Sequence, residues 1–264
     1  MEIKVLGPLT AHEHGVSLVP SAAKPRQILA LLALQGDHVV TVPTLMEEIW
    51  GQNVPRSAAT TLQTYILQLR RKIAVALDGD PVRNAKEVLV TQHGGYLLQI
   101  QPGQVDVQEF EQLALSGRGA YDAHDYAAAS ALLGKALAVW QGPALVDVPV
   151  GGVLELEVLR LEEDRMACLE RRIDADLKLG RHTEVVPELC FLAARNPMHE
   201  NFCAQLMTAL HCSGSSWRAL EAYQRLREAL VGELGIEPSA RLQQLQHAVL
   251  SGDIGLGQSL TATG

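Results

Sequence analysis

Aromatic residues are scarce in this chain, which has three Trp, five Tyr and three Phe among its 264 residues. A core must therefore be packed with Leu, Ala and Val, and there is enough material for one because 47% of the residues are hydrophobic. No apolar run reaches the roughly 18 residues that a membrane span needs. The first residues, Met1–Lys4, contain neither a basic leader nor a signal-peptide core. We therefore expect one or two globular domains, located in the cytoplasm and without a membrane partner.

Cysteine is also infrequent, and its spacing does not favour a metal site. None of the four cysteines forms a Cys-x-x-Cys pair, and without a secretion signal we expect reduced, mostly packed thiols. His199 and Cys203 lie one helical turn apart and His211-Cys212 follow, a grouping that offers ligands for a metal site. The recognised zinc spacings are absent, so ordinary packing is the favoured interpretation, with no metal and no cofactor.

Motifs of catalysis are missing as well. The sequence contains no phosphate-binding Gly-x-x-x-x-Gly-Lys-[Ser/Thr] loop, no Gly-x-Gly-x-x-Gly loop and no nucleophile elbow. The polar trio Asp122, His124 and Asp125 falls where the helical pattern predicts a turn. We therefore predict that the protein is not an enzyme.

Acidic charge is unevenly distributed along the chain. The formal net charge is −8, yet residues 1–102 carry nine Lys or Arg and eight Asp or Glu. The excess of acid therefore belongs to the second half, and the cations of the first half gather at Arg70–Lys72. This pattern indicates a local contact with phosphates, although cations at the end of a helix also complement the helix dipole.

What the chain does have is one helix with two unlike faces, residues 57–73. Its apolar face has 3.6-residue spacing and consists of Leu62, Ile66, Leu69 and Ile73. Its opposite face has hydroxyls, an amide and a cation but no carboxylate: Ser57, Thr60, Thr61, Thr64, Gln68 and Arg71. Such groups can bond base edges and phosphates.

The segments around this helix predict a winged helix-turn-helix. A helix from Pro25 to Gly36 and a shorter one from Pro43 to Gly51 precede it, and two strand-like runs joined through Gly94-Gly95 follow it as a hairpin. Short strands are expected at residues 3–7, 15–18 and 39–42. This order of elements is typical of domains that dock on duplex DNA.

The second half is predicted to be helical. Turns before amphipathic helices recur at 124–129, 180–185 and 215–220, and the last two are about 35 residues apart, near the tetratricopeptide period. An inserted loop lengthens the first interval from Trp140 to about Gly152. We predict an α+β winged helix-turn-helix domain over residues 1–102, an all-α tetratricopeptide-like domain over 103–252, and a disordered tail over 253–264.

With both halves in view, the chain resembles the Streptomyces antibiotic regulatory protein family. The resemblance covers roughly residues 1–250 and depends on the order and spacing of short landmarks rather than on any one of them. The landmarks are Pro25-Arg26-Gln27, Trp50-Gly51, Leu69–Ile73, Gly94–Leu98, Val105–Phe110, Trp140–Leu145 and Glu233–Ser239. The resemblance implies an OmpR-type winged helix followed by a bacterial transcriptional activation domain, in a short form without an ATPase module.

The resemblance also implies roles for particular residues. Thr64, Leu67 and Gln68 match base-facing positions, while Thr61, Arg70 and the indole of Trp50 match phosphate-contacting ones. Gln92 and His93 match the tip of the wing, where related domains often have arginine. The implied partners are double-stranded promoter DNA with direct repeats and RNA polymerase, including its sigma subunit, and the implied state on DNA is a homodimer.

Further DNA-contact candidates follow from the residues themselves: Lys24 and Arg26 at a helix start, Thr60 on the polar face, and Arg71 and Lys72 beside Arg70. Each candidate has a plainer alternative. Thr64 and Gln68 could be a solvated face, Leu67 an ordinary exposed leucine, Trp50 a core residue and His93 a solvated turn residue. Cations are unfavourable at a helix start, so Lys24 and Arg26 are expected to meet an anion such as the DNA backbone. The plainer alternative is that both side chains are exposed to solvent.

Three functions remain open from the sequence alone. The favoured one is a sequence-specific DNA-binding transcriptional activator that binds direct repeats at promoters of antibiotic or secondary-metabolite genes. The second is a tetratricopeptide-like adaptor whose first domain docks on protein, and the third is a regulator gated by a ligand in the helical groove.

Overall fold

A computed structural model describes residues 1–77 and 83–252. The chain forms two compact units, Met1–Leu115 with Lys135–Ala167, and Ser116–Gly134 with the chain from Cys168 onward. The domain boundary at residue 102 stays a prediction, and the predicted tail over 253–264 lies outside the described residues. Within the two described ranges, no helix combines the length and the apolarity that crossing a bilayer would require.

The first unit begins with a small antiparallel sheet of strands β1 (Glu2–Lys4), β2 (Thr10–Glu13) and β3 (Val16–Ser17). The strands expected at residues 3–7 and 15–18 are present but shorter. Strand β2 was not predicted because one of its two inward positions is a carboxylate, Glu13, which breaks the apolar alternation. That carboxylate is buried and binds Arg83, with Oε1 2.6 Å from Nη2.

The winged helix follows in the predicted order. Its helices are α1 (Ala23–Leu34), α2 (Val42–Trp50), α3 (Ala58–Ala76) and the short α4 (Ala85–Val88), which was not predicted. Its strands are β4 (Val40–Thr41), β5 (Leu89–Gln92) and β6 (Gly95–Leu98). Val42, expected in a strand, instead begins α2, because the Thr41 hydroxyl accepts the Thr44 N–H at 3.2 Å and caps the helix.

Strand β6 lies between β4 and β5, so the hairpin is fixed to the body of the domain. Val40 pairs with Tyr96, and Thr91 also pairs with Tyr96 from the other side. Glycine is needed at position 95, since a Cβ there would collide with the Val40 carbonyl oxygen. The predicted hairpin through Gly94-Gly95 is therefore confirmed, and Gly94 has the positive φ of 81° that its turn requires.

Every element described after residue 105 is a helix. They are α5 (Asp106–Asp122), α6 (Tyr126–Ala138), α7 (Gly152–Lys178), α8 (His182–Arg195), α9 (Glu200–Cys212), α10 (Ser216–Leu234) and α11 (Ala240–Ser251). Helices α6, α8 and α10 begin at the three repeated turns, and the inserted loop separates α6 from α7, as predicted. In the second unit α9 packs against both α8 and α10, the stacking expected of tetratricopeptide-like pairs.

A single carboxylate from α2 holds the start of α7 within the first unit. Glu48 is only 2% exposed, and its oxygens accept the backbone N–H groups of Gly151, Val153 and Leu154 at 2.6, 3.1 and 2.9 Å. These are N–H groups at a helix N-terminus, which have no partner inside the helix and carry partial positive charge. A Cβ on Gly151 would collide with the Glu48 carbonyl oxygen. Glu48 therefore caps α7 from a distant part of the sequence.

Replacing Glu48 by Gln should destabilise the protein by about 2–3 kcal/mol, because the amide directs a donor at backbone donors and removes the charge. The neighbouring Glu47→Gln makes the same chemical change at an exposed position of the same helix and should have almost no effect. Urea denaturation of both variants measures the difference. Equal stabilities of the two variants would show that the cap contributes nothing.

Candidate nucleic-acid interface

Helix α3 has its apolar face buried and its polar face in solvent. Leu62, Ile66, Leu69 and Ile73 are all buried, as their spacing predicts. The outward face exposes four residues one helical turn apart: Thr60, Thr64, Leu67 and Arg71. No Asp or Glu occurs anywhere in Ala58–Ala76. An anion can therefore approach the full length of this face without meeting a carboxylate from α3 itself.

An aromatic pair borders this face on the side of α2. The Trp50 indole stacks on the Tyr65 ring with centroids 6.5 Å apart and an angle of 22° between the planes. Lys24 at the start of α1 places its Nζ 5.0 Å from the centre of the Trp50 ring. Trp50 is half-buried, so packing does not prevent a contact with DNA. These contacts join the first turn of α1 to the outward face of α3.

The wing borders the opposite side, and Arg70 holds it there. Its Nε and Nη2 donate to the Leu89 carbonyl at 3.0 and 2.7 Å, and Nη2 also donates to the Thr91 hydroxyl at 2.7 Å. The sequence predicts a phosphate contact for Arg70. The guanidinium is engaged by the backbone and side chain of β5, so Arg70 positions the wing, and its phosphate contact stays a prediction.

Two neighbouring cations are better placed to contact phosphates. Arg71 is exposed and Lys72 is half-buried, and within residues 1–77 and 83–252 neither forms an ion pair. The wing tip is also accessible, since Gln92 and His93 are exposed at the turn between β5 and β6. The cation cluster of the sequence thus divides into one arginine that supports the wing and two cations that have no ion pair among the described residues.

The hydroxyls of two α3 threonines act as donors to the backbone of their own helix in this structure. The Thr61 hydroxyl donates to the Ser57 carbonyl and the Thr64 hydroxyl to the Thr60 carbonyl, both at 3.0 Å. A phosphate oxygen only accepts, so the phosphate contact predicted for Thr61 requires its hydroxyl to rotate away from the helix. Thr64 can accept from an exocyclic amino group of a base without such a change.

Arg26 meets a protein carboxylate in place of DNA. Its Nη2 lies 2.7 Å from Oδ2 of Asp147 and its Nη1 donates to the Asp147 carbonyl at 3.2 Å. The second oxygen of Asp147 accepts the Leu9 N–H at 2.7 Å. The sequence predicts an anion near this helix start, and for Arg26 the structure supplies one internally. Arg26 is therefore engaged by the loop that precedes α7, and the phosphate contact predicted for it stays a prediction.

Three of the candidates for metal binding and catalysis, His199, Cys203 and Asp125, have structural partners. His199 caps α9 and its Nε2 lies 3.0 Å from Glu170, while the Cys203 thiol donates to the Ala222 carbonyl. Burial raises the pKa of Cys203 to about 12, which disfavours the thiolate that a metal needs. Asp125 accepts the Ala128 N–H at 3.0 Å and so caps the start of α6.

Several contributors were not found from the sequence. Tyr65 supports Trp50, Thr91 binds Arg70, and Glu48 and Asp147 anchor the segment that leads into α7. Tyr65 could have been noticed because it borders the apolar stripe of α3 on the side where α2 must pack. The other three have no local signal, because their partners are 21 or more residues away in sequence.

Arg70→Gln should loosen the wing, because it removes charge-assisted hydrogen bonds worth about 1.5–3 kcal/mol. We expect amide hydrogen exchange in β5 to become at least about tenfold faster. Arg71→Gln is the matched control, as it removes an adjacent guanidinium without a protein partner. Unchanged protection of β5 in the Arg70 variant would contradict the wing-positioning role.

Comparison with known families places this surface in context. The family "Transcriptional regulatory protein, C terminal" matches residues 17–98, which contain α1–α3 and the wing. The family "Bacterial transcriptional activator domain" matches residues 105–250, which contain α5–α11. The two matches follow the winged helix and the tetratricopeptide-like helices in the order that the sequence predicts.

Whole-chain comparisons agree with the family matches. The chain is 54% identical to the regulatory protein DnrI of Streptomyces peucetius over 98% of its own length and 95% of that protein. It is 35% identical to the regulatory protein AfsR of Streptomyces coelicolor, covering 98% of itself but 25% of AfsR. The structure of Mycobacterium tuberculosis EmbR in complex with a low-affinity phosphopeptide superposes with a TM-score of 0.86 and 29% identity, over 95% of this chain and 65% of that one. The chain therefore belongs to the Streptomyces antibiotic regulatory protein family of DNA-binding transcriptional activators.

Proposed function

We propose that this activator binds direct repeats at promoters by inserting α3 into the major groove. Thr64, Leu67 and Gln68 contact base edges, and Arg71 and Lys72 contact phosphates. The wing tip at Gln92 and His93 rests on the adjacent backbone or minor groove. The observation that carries this proposal is the carboxylate-free outward face of α3, framed by Trp50 and Tyr65 on one side and by the wing on the other.

The remaining candidates act at the edge of this surface. Thr60 and Thr61 lie in the first turn of α3, and Lys24 and the Trp50 indole lie on the flank where a neighbouring phosphate would pass. An indole N–H and a lysine ammonium are donors, so both fit a phosphate oxygen. These residues set the register of the protein on the duplex and contribute little to the choice of sequence.

The partners follow from the family. We infer that protomers occupy adjacent repeats side by side as a homodimer on DNA and recruit RNA polymerase, including its sigma subunit, in the cytoplasm. The regulated genes are those of antibiotic or other secondary-metabolite biosynthesis. We assign the chain no catalytic activity. Footprinting over the promoters of its neighbouring gene cluster tests the proposal, and absence of any protected repeat at low salt would contradict it.

Gln68→Ala should cost roughly 1–3 kcal/mol on the cognate repeat and little on random DNA, because an amide that bonds a base edge serves one sequence. Gln63→Ala, an exposed glutamine on the same helix outside the predicted base-facing set, is the control and should leave the ratio of the two affinities unchanged. Fluorescence anisotropy at a fixed salt concentration measures both ratios. A Gln68 variant with undiminished discrimination would be removed from the set of base-contacting residues.

Arg71→Gln should weaken binding to cognate and random DNA alike, because phosphates are common to every sequence. One lost phosphate contact should reduce the slope of log K against log salt concentration by about one. Titrations at four salt concentrations give the slope for the variant and for the parent protein. Identical slopes would mean that Arg71 does not contact a phosphate in the complex.

A further inference from the structure

A cavity of about 310 Å³ opens into the winged helix at the base of the wing. Its lining includes Leu18 after β3, Ile73 near the end of α3, Val88 at the end of α4 and Gln99 after β6. Folded cores leave few voids larger than a water molecule, and pockets that bind small molecules begin at about 300 Å³. The cavity is therefore large enough to hold a small molecule.

The buried part of the lining is apolar. Leu18, Ile73, Leu77 and Val88 all border the cavity, and all four are buried. They come from the small sheet, from α3 and from α4, so the apolar wall surrounds the cavity on more than one side. A ligand therefore needs an apolar body that these side chains can remove from water.

The exposed part of the lining carries amides. Gln99 and Gln101 are exposed, and across residues 1–77 and 83–252 neither side-chain amide has a hydrogen-bond partner. Gln104 uses its Oε1 to accept the Gln101 N–H at 2.9 Å, which leaves its NH₂ group as a donor. An amide side chain both donates and accepts. These groups therefore match a ligand that carries hydroxyl or carbonyl oxygens.

The charged groups of the lining are paired with one another. The buried Glu13 carboxylate places Oε1 2.6 Å from Nη2 of Arg83 and Oε2 2.5 Å from the Met1 ammonium nitrogen. Burial alone would raise the pKa of Glu13, but the ammonium and the guanidinium hold this pKa below its usual range, so the carboxylate is ionised at neutral pH. With Glu87, the described lining residues carry two carboxylates and two cations. An ionic ligand would lose its hydration without gaining a partner, so an uncharged ligand is favoured.

The cavity lies at the joint between α3 and the wing, inside the first unit. Arg70, which binds the Leu89 carbonyl, lies one helical turn before Ile73, and Leu89 directly follows Val88. The Gln99 N–H donates to the Val88 carbonyl at 2.8 Å and so joins the two ends of the hairpin. A molecule in the cavity contacts the same elements that Arg70 connects, and its contacts add to those that hold the wing against α3.

We propose that this cavity is an effector site for a small uncharged molecule with an apolar body and hydroxyl or carbonyl oxygens. Its occupant stiffens the joint between α3 and the wing and thereby strengthens DNA binding. DNA must then raise the affinity of the cavity for the molecule by the same factor. The effector role rests on the proposed function, whereas occupancy of the cavity can be measured without DNA.

The first test uses 4-(hydroxymethyl)acetophenone, a neutral aromatic ketone with a hydroxyl, and the full chain with labelled Ile, Leu and Val methyl groups. The methyl signals of Ile73, Leu77 and Val88 should shift and saturate in the millimolar range that is usual for so small a ligand. The signal of Ile28, which is buried in α1 and does not line the cavity, should not move. Absence of shifts at the lining residues would overturn the site.

Two analogues of the probe test the ligand class. 4-Acetylbenzoate replaces the hydroxymethyl group by a carboxylate, and 4-ethylacetophenone lacks the hydroxyl. Each should bind at least about fivefold more weakly than the probe, because one must bury a charge and the other loses a hydrogen bond to the amides. Equal or tighter binding of either analogue would overturn the assigned class.

Variants at the exposed glutamines test the location. Gln101→Trp places an indole at the mouth of the cavity and should abolish the methyl shifts without lowering the melting temperature. Gln99→Ala only removes an amide and should weaken the probe about two- to tenfold. Gln112→Trp, at an exposed position of α5 outside the cavity, is the control and should bind the probe like the parent. Undiminished binding by both cavity variants would show that the probe binds elsewhere.

Fluorescence anisotropy with the promoter fragment that footprinting identifies tests the effector role. A saturating concentration of the probe should tighten DNA binding at least about threefold in the parent and leave it unchanged in Gln101→Trp. Unchanged DNA affinity in the parent would overturn the effector role even where the methyl shifts show that the cavity is occupied. Failure of the parent to bind any promoter fragment would contradict the proposed function and the effector role with it, while the methyl shifts would still decide whether the cavity binds the probe.

Discussion

The buried carboxylate of Glu48 is the constraint on which the first unit depends. It satisfies three backbone donors at the start of α7, and no residue near α7 in sequence replaces it. Two neighbouring contacts act in the same region: the Gln141 and Leu145 N–H groups donate to the carbonyls of Leu6 and Val5 at 2.7 and 2.9 Å. The loop before α7 is thereby packed onto the winged helix. An anion at a helix N-terminus is favourable, so this contact stabilises both partners.

The elements of the winged helix could be predicted because their signals are local. Periodicity placed the buried face of α3, Pro43 and Gly51 marked α2, and Gly94-Gly95 marked the hairpin. Strand β2 escaped prediction because Glu13 occupies an inward position, and α4 because four residues are too few for a periodic pattern. The helical second half was predicted correctly from its repeated turns, which coincide with the starts of α6, α8 and α10.

The location of the candidate interface could be predicted from the sequence, but the separate roles of its cations could not. Helical spacing identified the outward face of α3 as far as Arg71. Helical spacing could not show that Arg70 has a different role from Arg71 and Lys72. That difference depends on the Leu89 carbonyl and the Thr91 hydroxyl of β5, which bind only Arg70. In the same way, an arginine at a helix start requires an anion, but only the fold reveals that Asp147 supplies it for Arg26. The positive charge of each arginine predicts that it has a partner, but the identity of that partner depends on the tertiary structure.

The arginine that holds the wing limits which changes α3 tolerates. Exchange of Thr64, Leu67 or Gln68 alters only side chains that face outward, so the scaffold tolerates it. Exchange of the whole helix would also replace position 70, and the hairpin would lose its attachment to the helix it accompanies. A helix transplanted into this scaffold therefore needs an arginine at position 70 if the wing is to stay attached to it.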